Sequence, residues 1–222
     1  RSTLSSSSAA SDVYKRQQYD VFGNFSRAIT PNGTPSPHLQ WDPTEQEIFD
    51  AITDKRLDEE PMATIPEGMT ARAFAAQVAR ERLRSAVPDV DTYCDAEIND
   101  SMYFTLFPNF HPWGAFNRIN YRFRPVGTKV DECLMECIYT EDFEGDERPA
   151  PAEYIELGID QEWTELIPVI GNLARVFHQD SFNLPKVQKG LETFRADGLT
   201  LTKYQEVKIR HWHAMAERYN AN

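Results

Sequence analysis

The side chains of this 222-residue chain that could bind a metal or transfer a proton are few and widely spaced. Its five histidines are His38, His111, His178, His211 and His213. An iron or zinc site needs at least two imidazoles at one point, often three to five residues apart on a helix. No two of these histidines have that spacing. His211 and His213 are two residues apart, which on one helix would place them about 200° apart around its axis. The residues alone therefore show no complete metal site.

Nucleophilic and phosphate-binding chemistry also lacks a motif. The sequence contains no GxSxG elbow and no glycine-rich phosphate loop. Most carboxylates lie in runs such as DEE and EDFEGDE, which are typical of solvated surface. One carboxylate in an unusual setting is Asp180, inside VFHQDSFNLPKVQKGL (176–191). From the residues alone it could be a helix cap near Leu184, a surface carboxylate, or one ligand of a larger site.

The composition excludes several classes of partner. The chain has 35 acidic and 23 basic residues, and its net charge of −12 would repel a phosphate backbone, so no nucleic-acid partner is expected. No apolar run reaches the roughly 18 residues of a membrane helix, so no membrane partner is expected either. The three cysteines form no disulfide framework and are predicted to be buried in a reducing compartment, which indicates a cytoplasmic protein.

The N-terminal segment differs in character from the rest of the chain. RSTLSSSSAAS lacks the apolar stretch of a secretory signal, and DVYKRQ (12–17) matches the read-through of a transposon end used in sequencing libraries. Residues 1–17 are therefore predicted to be a non-native, disordered tail, with a native flexible tail as the alternative. Residues 18–222 are predicted to be the folded part.

The elements that would position the chemistry are predicted from caps and hydrophobic periodicity. Residues 18–40 are rich in glycine and proline and predict an ordered loop. Two helices are predicted to start at Thr44, which forms a capping box with Glu47, and at Thr70.

Three strands and a helical C-terminal third are predicted next. Three apolar or alternating runs predict an antiparallel meander, and they span 101–108, 118–125 and 132–140. In the second run, Ile119, Tyr121 and Phe123 alternate with polar and arginine side chains. The last helix is predicted from about Thr200. The sum is an α+β fold with helices packed over an antiparallel sheet.

Four segments in a fixed order carry a family resemblance. They are LFPNFHPWG (106–114), YRFRPVG (121–127), VFHQDSFNLPKVQKGL (176–191) and KYQEVKIRHWH (203–213). Together they resemble the catalytic domain of the alpha subunit of Rieske-type non-haem iron oxygenases, the aromatic-ring-hydroxylating family. The resemblance covers about residues 18–219 and is looser over 43–88. It implies a helix-grip (START/SRPBCC-like) fold, in which a curved antiparallel sheet and C-terminal helices enclose an apolar pocket.

The resemblance also implies an iron site. In the family, two histidines and one carboxylate hold a mononuclear Fe(II) and leave positions open for dioxygen and substrate. Asp180 falls on the carboxylate position. The histidines and the Rieske domain with its 2Fe–2S cluster are expected before residue 18. Residues 18–222 are therefore predicted to be an N-terminally truncated catalytic domain that does not turn over by itself.

The whole enzyme implied by the resemblance would be an oxidoreductase. It would take electrons from a ferredoxin or reductase and use O₂ to hydroxylate an aromatic or other apolar substrate, and it would form a homotrimer. The substrate and the choice among dihydroxylation, monooxygenation and demethylation do not follow from the sequence.

Five further residues are candidates for the surroundings of the site. Asn109 and His111 end a strand that lines the pocket in the family, or they form a strand-end turn. Val176 and Phe177 lie about one turn before Asp180 and face either the substrate or the core. Asn183 would hydrogen-bond either the ligand carboxylate or the turn. No catalytic acid, base or nucleophile is assigned.

A second interpretation belongs to a different class of protein. The helix-grip fold also serves non-catalytic modules that bind an apolar ligand. In such a module Asp180 would be a helix cap, and no upstream histidine pair would exist.

Overall fold

The computed structural model describes residues 17–35, 39, 41–53, 60–114, 116, 118–141, 143–167, 170, 173–196 and 198–221. These residues form two compact units. The sheet unit contains the described residues of 1–124, 134–146 and 201–222, and the helical unit contains those of 125–133 and 147–200.

Most of the tail predicted to be non-native, residues 1–16, lies outside the described residues. Gln17, its last residue, is buried, and its carbonyl oxygen accepts a hydrogen bond of 2.7 Å from the Tyr204 hydroxyl. The folded part of the chain therefore begins no later than Gln17.

One antiparallel sheet of six strands forms the centre of the sheet unit, and strands adjacent in sequence are adjacent in the sheet. The strands are β1 (Gln18–Phe22), β2 (Phe25–Thr30), β3 (Ser101–Leu106), β4 (Phe110–Gly114), β5 (Ile119–Pro125) and β6 (Cys133–Tyr139). The predicted α+β class is confirmed, and the three predicted strands are present as β3, β5 and β6. The predicted pairing of the first two is wrong, because β4 lies between β3 and β5.

Three strands, β1, β2 and β4, escaped the sequence prediction. The loop predicted for 18–40 is wrong in its first half, which forms the β1–β2 hairpin with Phe22 paired to Phe25 across Gly23 and Asn24. Such a two-residue turn is a hairpin signal, and the many turn formers after residue 30 obscured it. β4 was missed because Pro112 lies in its middle, where proline normally argues against a strand.

The sheet has two chemically different faces. The inner face is defined by Tyr19, Ser26, Ala28, Tyr103, Thr105, His111, Trp113, Tyr121 and Phe123, which the strand register and ring contacts place on one side. The outer face carries Arg122 and Arg124, whose guanidinium groups pair with Glu136 at 2.5 and 2.7 Å. The alternation predicted for β5 is therefore confirmed.

A helical layer follows β2 in the chain. Its helices are α1 (Glu45–Ile52), α2 (Ala71–Leu83) and α3 (Asp95–Asn99), with a short 3₁₀ turn at Val90–Thr92. The capping box of Thr44 and Glu47 and the cap at Thr70 are confirmed. Phe49 and Phe74 pack together with ring centroids 5.0 Å apart, and Leu83 is buried in a second cluster.

A buried ion pair joins the helical layer to the strand ends. The Arg72 guanidinium donates two hydrogen bonds to the Asp100 carboxylate, at 2.6 and 3.0 Å, and the Asn32 amide donates a third at 3.0 Å. Gly33 has a φ of +74°, and a Cβ there would lie 2.5 Å from the Arg72 Cα. Glycine is therefore required at this position on both conformational and steric grounds.

The C-terminal helix of the sheet unit, α6 (Val207–Asn220), packs on β1 and β2. It starts later than the predicted Thr200, because residues 201–206 form turns. The prediction of buried cysteines is wrong for Cys94 and Cys133, which are exposed, while Cys137 is half-buried. Both Cys133 and Cys137 belong to β6, an edge strand that offers less cover than the centre of the sheet.

The helical unit contains α4 (Trp163–Leu166) and α5 (Leu173–Glu192). Its core consists of Trp163, Ile170, Ala174 and Phe177, and the rings of Trp163 and Phe177 lie 5.5 Å apart. Within the described part of the chain, no helix has the length and apolar character needed to cross a bilayer.

Candidate functional site

The turn between β3 and β4 is one of the places where α6 contacts the sheet unit. The Trp212 indole of α6 donates a hydrogen bond of 2.6 Å to the Pro108 carbonyl oxygen. The Phe107 ring stacks on Tyr219 at 5.1 Å between centroids. These contacts attach the middle and the end of α6 to the FPN turn.

His111 of β4 points to the inner face. Its Nδ1 lies 3.2 Å from the Thr105 hydroxyl, and its ring meets Phe123 edge to face at 5.4 Å. Burial, and to a smaller extent the positive charge of Lys208, lower the pKa of His111 from 6.5 to about 4. The imidazole is therefore neutral at pH 7 and keeps one N–H and one acceptor nitrogen.

Lys208 of α6 lies over the same face. Its ammonium is 4.3 Å from the centroid of the Tyr103 ring and 3.5 Å from the Tyr103 carbonyl oxygen. Burial lowers the pKa of Lys208 from 10.5 to about 8. Within the described ranges, no carboxylate lies within ion-pair distance of this ammonium.

Ser26 of β2 completes a line of polar groups. It is fully buried, and the register places it directly opposite Thr105 on β3. Its hydroxyl has no hydrogen-bond partner in the part of the chain that the structure describes. We call Ser26, Thr105, His111 and Lys208 the polar row.

Aromatic side chains surround the polar row. Tyr103 and Trp113 are 5.2 Å apart, and Trp113 and Tyr121 are 6.1 Å apart with nearly perpendicular rings. With Phe123 they form what we call the aromatic wall, across β3, β4 and β5. All four rings are half-buried, so a surface of aromatic rings lies next to the polar row.

Asn109, predicted as a pocket residue or a turn residue, has a backbone role. Its carbonyl oxygen accepts a hydrogen bond of 3.0 Å from the Phe123 amide, which joins the β3–β4 turn to β5. Of the two residues predicted from FPNFH, His111 therefore faces the aromatic wall and Asn109 supports it.

Asp180 lies in the interior of α5, seven residues after the helix begins at Leu173. The predicted alternative of a cap near Leu184 is therefore wrong, because Pro185 is accommodated within the helix rather than starting it. Positions four residues apart share a helix face, so Asp180 lies between Val176 and Leu184. Desolvation by its surroundings raises the pKa of Asp180.

The face of α5 around Asp180 is apolar and exposed. Val176 is 48% exposed, Leu184 49% and Val187 57%. Phe177 is buried against Trp163, which agrees with the core alternative for this residue. Asn183 is exposed, one turn after Asp180.

His178 shares α5 with Asp180 but points to another side. Its Nε2 lies 3.1 Å from a carboxylate oxygen of Glu162, just before α4. Two positions apart on a helix correspond to about 200°, so His178 and Asp180 cannot bind one ion together.

The implied iron needs more ligands than the described residues bring together. Among the residues that the structure describes, no group of three or more His, Cys, Asp or Glu side chains could hold a metal ion. Asp180 is thus a single candidate ligand in the part of the chain that the structure describes. His38 lies outside the described residues.

The sequence reasoning missed Lys208, Ser26 and Thr105. Lys208 could have been found from its spacing to Trp212, because a lysine one helical turn from an aromatic residue on a packed helix must lie near the covered face. Ser26 required the β1–β2 hairpin, which was not predicted.

Comparisons with models of protein families, with curated proteins and with solved structures found no match to this chain.

Proposed function

We propose that this chain supplies the substrate-binding face and one iron ligand of a Rieske-type ring-hydroxylating oxygenase with a helix-grip fold. The observation that supports this most is that three of the four family-like segments meet in the sheet unit. Trp212 from KYQEVKIRHWH bonds to Pro108 of LFPNFHPWG, and Phe123 of YRFRPVG bonds to Asn109 of that same segment. Segments separated by up to about a hundred residues thus contribute to one surface.

The roles in this proposal divide between the two units. The aromatic wall would bind and orient the ring of an apolar substrate, and α6 would exclude water from the sheet beneath it. Asp180 would be the carboxylate ligand, with two histidines supplied from outside the residues printed here. When bound, Fe(II) would activate O₂ with electrons delivered through a 2Fe–2S cluster from a ferredoxin or reductase. The whole enzyme would be a cytoplasmic homotrimer.

A non-catalytic helix-grip module is the second candidate. The aromatic wall favours it, because such a surface would bind an apolar ligand without any iron chemistry. In this case Asp180 would have no metal to bind, and its position on the apolar side of α5 would serve packing or a partner.

The genomic locus upstream of the codon for residue 18 separates the two candidates. A continuous reading frame with C-x-H and C-x-x-H cluster ligands, followed by H-x-x-x-x-H, is expected for the oxygenase. A locus without these motifs would overturn the oxygenase proposal and leave the binding module.

Iron retention by the chain as printed tests the role of Asp180. We expect no stoichiometric Fe(II) after anaerobic loading and dialysis, because one carboxylate does not compete with water for the ion. The longer reading frame should retain about one iron per chain at its mononuclear site, and D180N should lose it. Stoichiometric iron in the short chain that D180N abolishes would show that the remaining ligands are within residues 1–222.

A further inference from the structure

The environment of Lys208 indicates a missing negative charge. A lysine ammonium that is half-buried between a helix and a sheet loses part of its hydration, and an opposite charge normally compensates this loss. Here the ammonium has the Tyr103 ring at 4.3 Å and a long contact of 3.5 Å to a backbone carbonyl. Neither of these neighbours neutralises the charge.

The Ser26 hydroxyl is an independent sign of a missing partner. A buried hydroxyl without a hydrogen bond costs about 1–3 kcal/mol, so native proteins rarely leave one in place without a reason. Ser26 is 0% exposed and lies opposite Thr105 on the face that α6 covers. Its hydroxyl has no hydrogen-bond partner among the described residues.

His111 supplies a further donor in the same place. The Thr105 hydroxyl and Nδ1 lie 3.2 Å apart, and in the tautomer in which the hydroxyl donates, the neutral imidazole carries its proton on Nε2. Lys208 lies over Tyr103, whose side chain is on the same face of β3 as Thr105, the neighbour of His111. The polar row thus offers an ammonium, an imidazole N–H and a hydroxyl, all of them donors.

We propose that the polar row binds the carboxylate of an aromatic acid whose ring lies against the aromatic wall. A carboxylate carries one negative charge and accepts several hydrogen bonds, which matches one ammonium and two neutral donors. A doubly charged phosphate group would exceed the single positive charge available. The identification as a substrate site rests on the proposed function, whereas the binding itself does not.

The test is the binding of 2-naphthoate to the purified chain without iron, measured by calorimetry and by tryptophan fluorescence. The matched control ligand is 2-naphthamide, which has the same ring and shape but no charge. We expect the acid to bind at least tenfold more tightly than the amide. Equal affinities for the two ligands would overturn the proposal.

Two variants of the polar row sharpen the test. Lys208→Met keeps most of the length of the side chain but removes its charge, and it should reduce the affinity for 2-naphthoate about tenfold or more, with little effect on 2-naphthamide. Ser26→Ala should weaken 2-naphthoate binding severalfold without lowering the melting temperature, because it removes an unpaired buried hydroxyl. A merely structural serine would instead change stability and leave the affinity ratio unaltered, which would contradict the proposal.

Arg122→Gln is the control on the opposite side of the sheet, since Arg122 points to the outer face and pairs with Glu136. Its affinity for 2-naphthoate should equal that of the unmodified chain. An equal loss in Arg122→Gln and Lys208→Met would show that the acid responds to overall charge rather than to the polar row. Because this binding test uses no iron, a negative result would not contradict the oxygenase proposal. Likewise, a genomic locus without the upstream motifs would not contradict carboxylate binding by the polar row.

Discussion

The helices α6 and α5 both have an apolar side, but their surroundings differ. On α6, Met215 is buried and Trp212 donates a hydrogen bond to the sheet unit. On α5, Phe177 is buried, whereas Val176, Leu184 and Val187 around Asp180 are about half exposed. An amphipathic pattern therefore predicts which side of a helix is apolar, whereas the residues that pack against that side come from the rest of the molecule.

The charged groups on the two helices also differ in what surrounds them. Lys208 of α6 lies over Tyr103 of β3, on the face of the sheet that also carries Ser26 of β2 and His111 of β4. Asp180 of α5 is a lone carboxylate on an apolar side. The sheet unit brings polar and aromatic side chains from several strands together, whereas the helical unit carries Asp180 on an apolar side of α5.

The largest expected effect is the loss of the small core of the helical unit. Phe177→Ala should lower the stability of this unit by about 3 kcal/mol, because it leaves a cavity beside Trp163. Amide hydrogen exchange should accelerate over 163–192 more than over the strands. Val176→Ala is the neighbouring control and should change little, since Val176 is 48% exposed. Equal damage by both variants would contradict this description of α5.

The ion pairs of the two units should also differ. Asp100→Asn leaves the Arg72 guanidinium with a weaker partner in a largely buried place and should cost about 2 kcal/mol in chemical denaturation. Glu162→Gln removes the negative charge opposite His178 at an exposed site and should produce no measurable change. A Glu162→Gln effect as large as that of Asp100→Asn would mean that the exposed pair supports α4 and α5.

Acidification should act on the sheet unit through His111. Its pKa is about 4 in the folded chain and 6.5 in the unfolded chain, so below pH 6.5 the unfolded chain binds a proton first. Stability should therefore fall as the pH decreases from about 6.5 to about 4, by about 1–2 kcal/mol after allowance for solvent screening. His111→Gln should flatten this part of the curve of unfolding free energy against pH. The control variant His213→Gln, at an exposed position, should retain the pH dependence between about pH 4 and 6.5.

The smallest expected effect concerns Asp180. Desolvation raises its pKa in the folded chain, so its ionisation opposes folding as the pH rises past the ordinary value of 3.8. D180N should remove this destabilising ionisation and raise the free energy of unfolding slightly at pH 7 when no metal is present. The change should be smaller than the change in unfolding free energy expected from His111. A destabilised D180N would show that the carboxylate has a stabilising partner.

Much of the fold could be predicted because local signals and final contacts agree. The capping box at Thr44 and Glu47 and the alternation in β5 needed only neighbouring residues. β4 could not be predicted because Pro112 is unfavourable for a strand by itself, and pairing with both β3 and β5 outweighs that preference.

The candidate site could be predicted only in part. His111 was found because it lies in a distinctive segment, and Asp180 was found through the resemblance of its segment to a family. Ser26 and Thr105 are ordinary residues whose importance arises from cross-strand register, which a single sequence does not reveal.

The sequence by itself determined the α+β class, the caps of two helices and the positions of His111 and Asp180, since these depend on residue type and short-range spacing. The tertiary structure alone decided that Ser26, Thr105, His111 and Lys208 form one row. These residues are up to 182 positions apart in the chain, and only the pairing of β2, β3 and β4 beneath α6 brings them together. The local conformational preferences of the residues cannot specify this arrangement, because it depends on long-range contacts that form as the sheet and the helix pack.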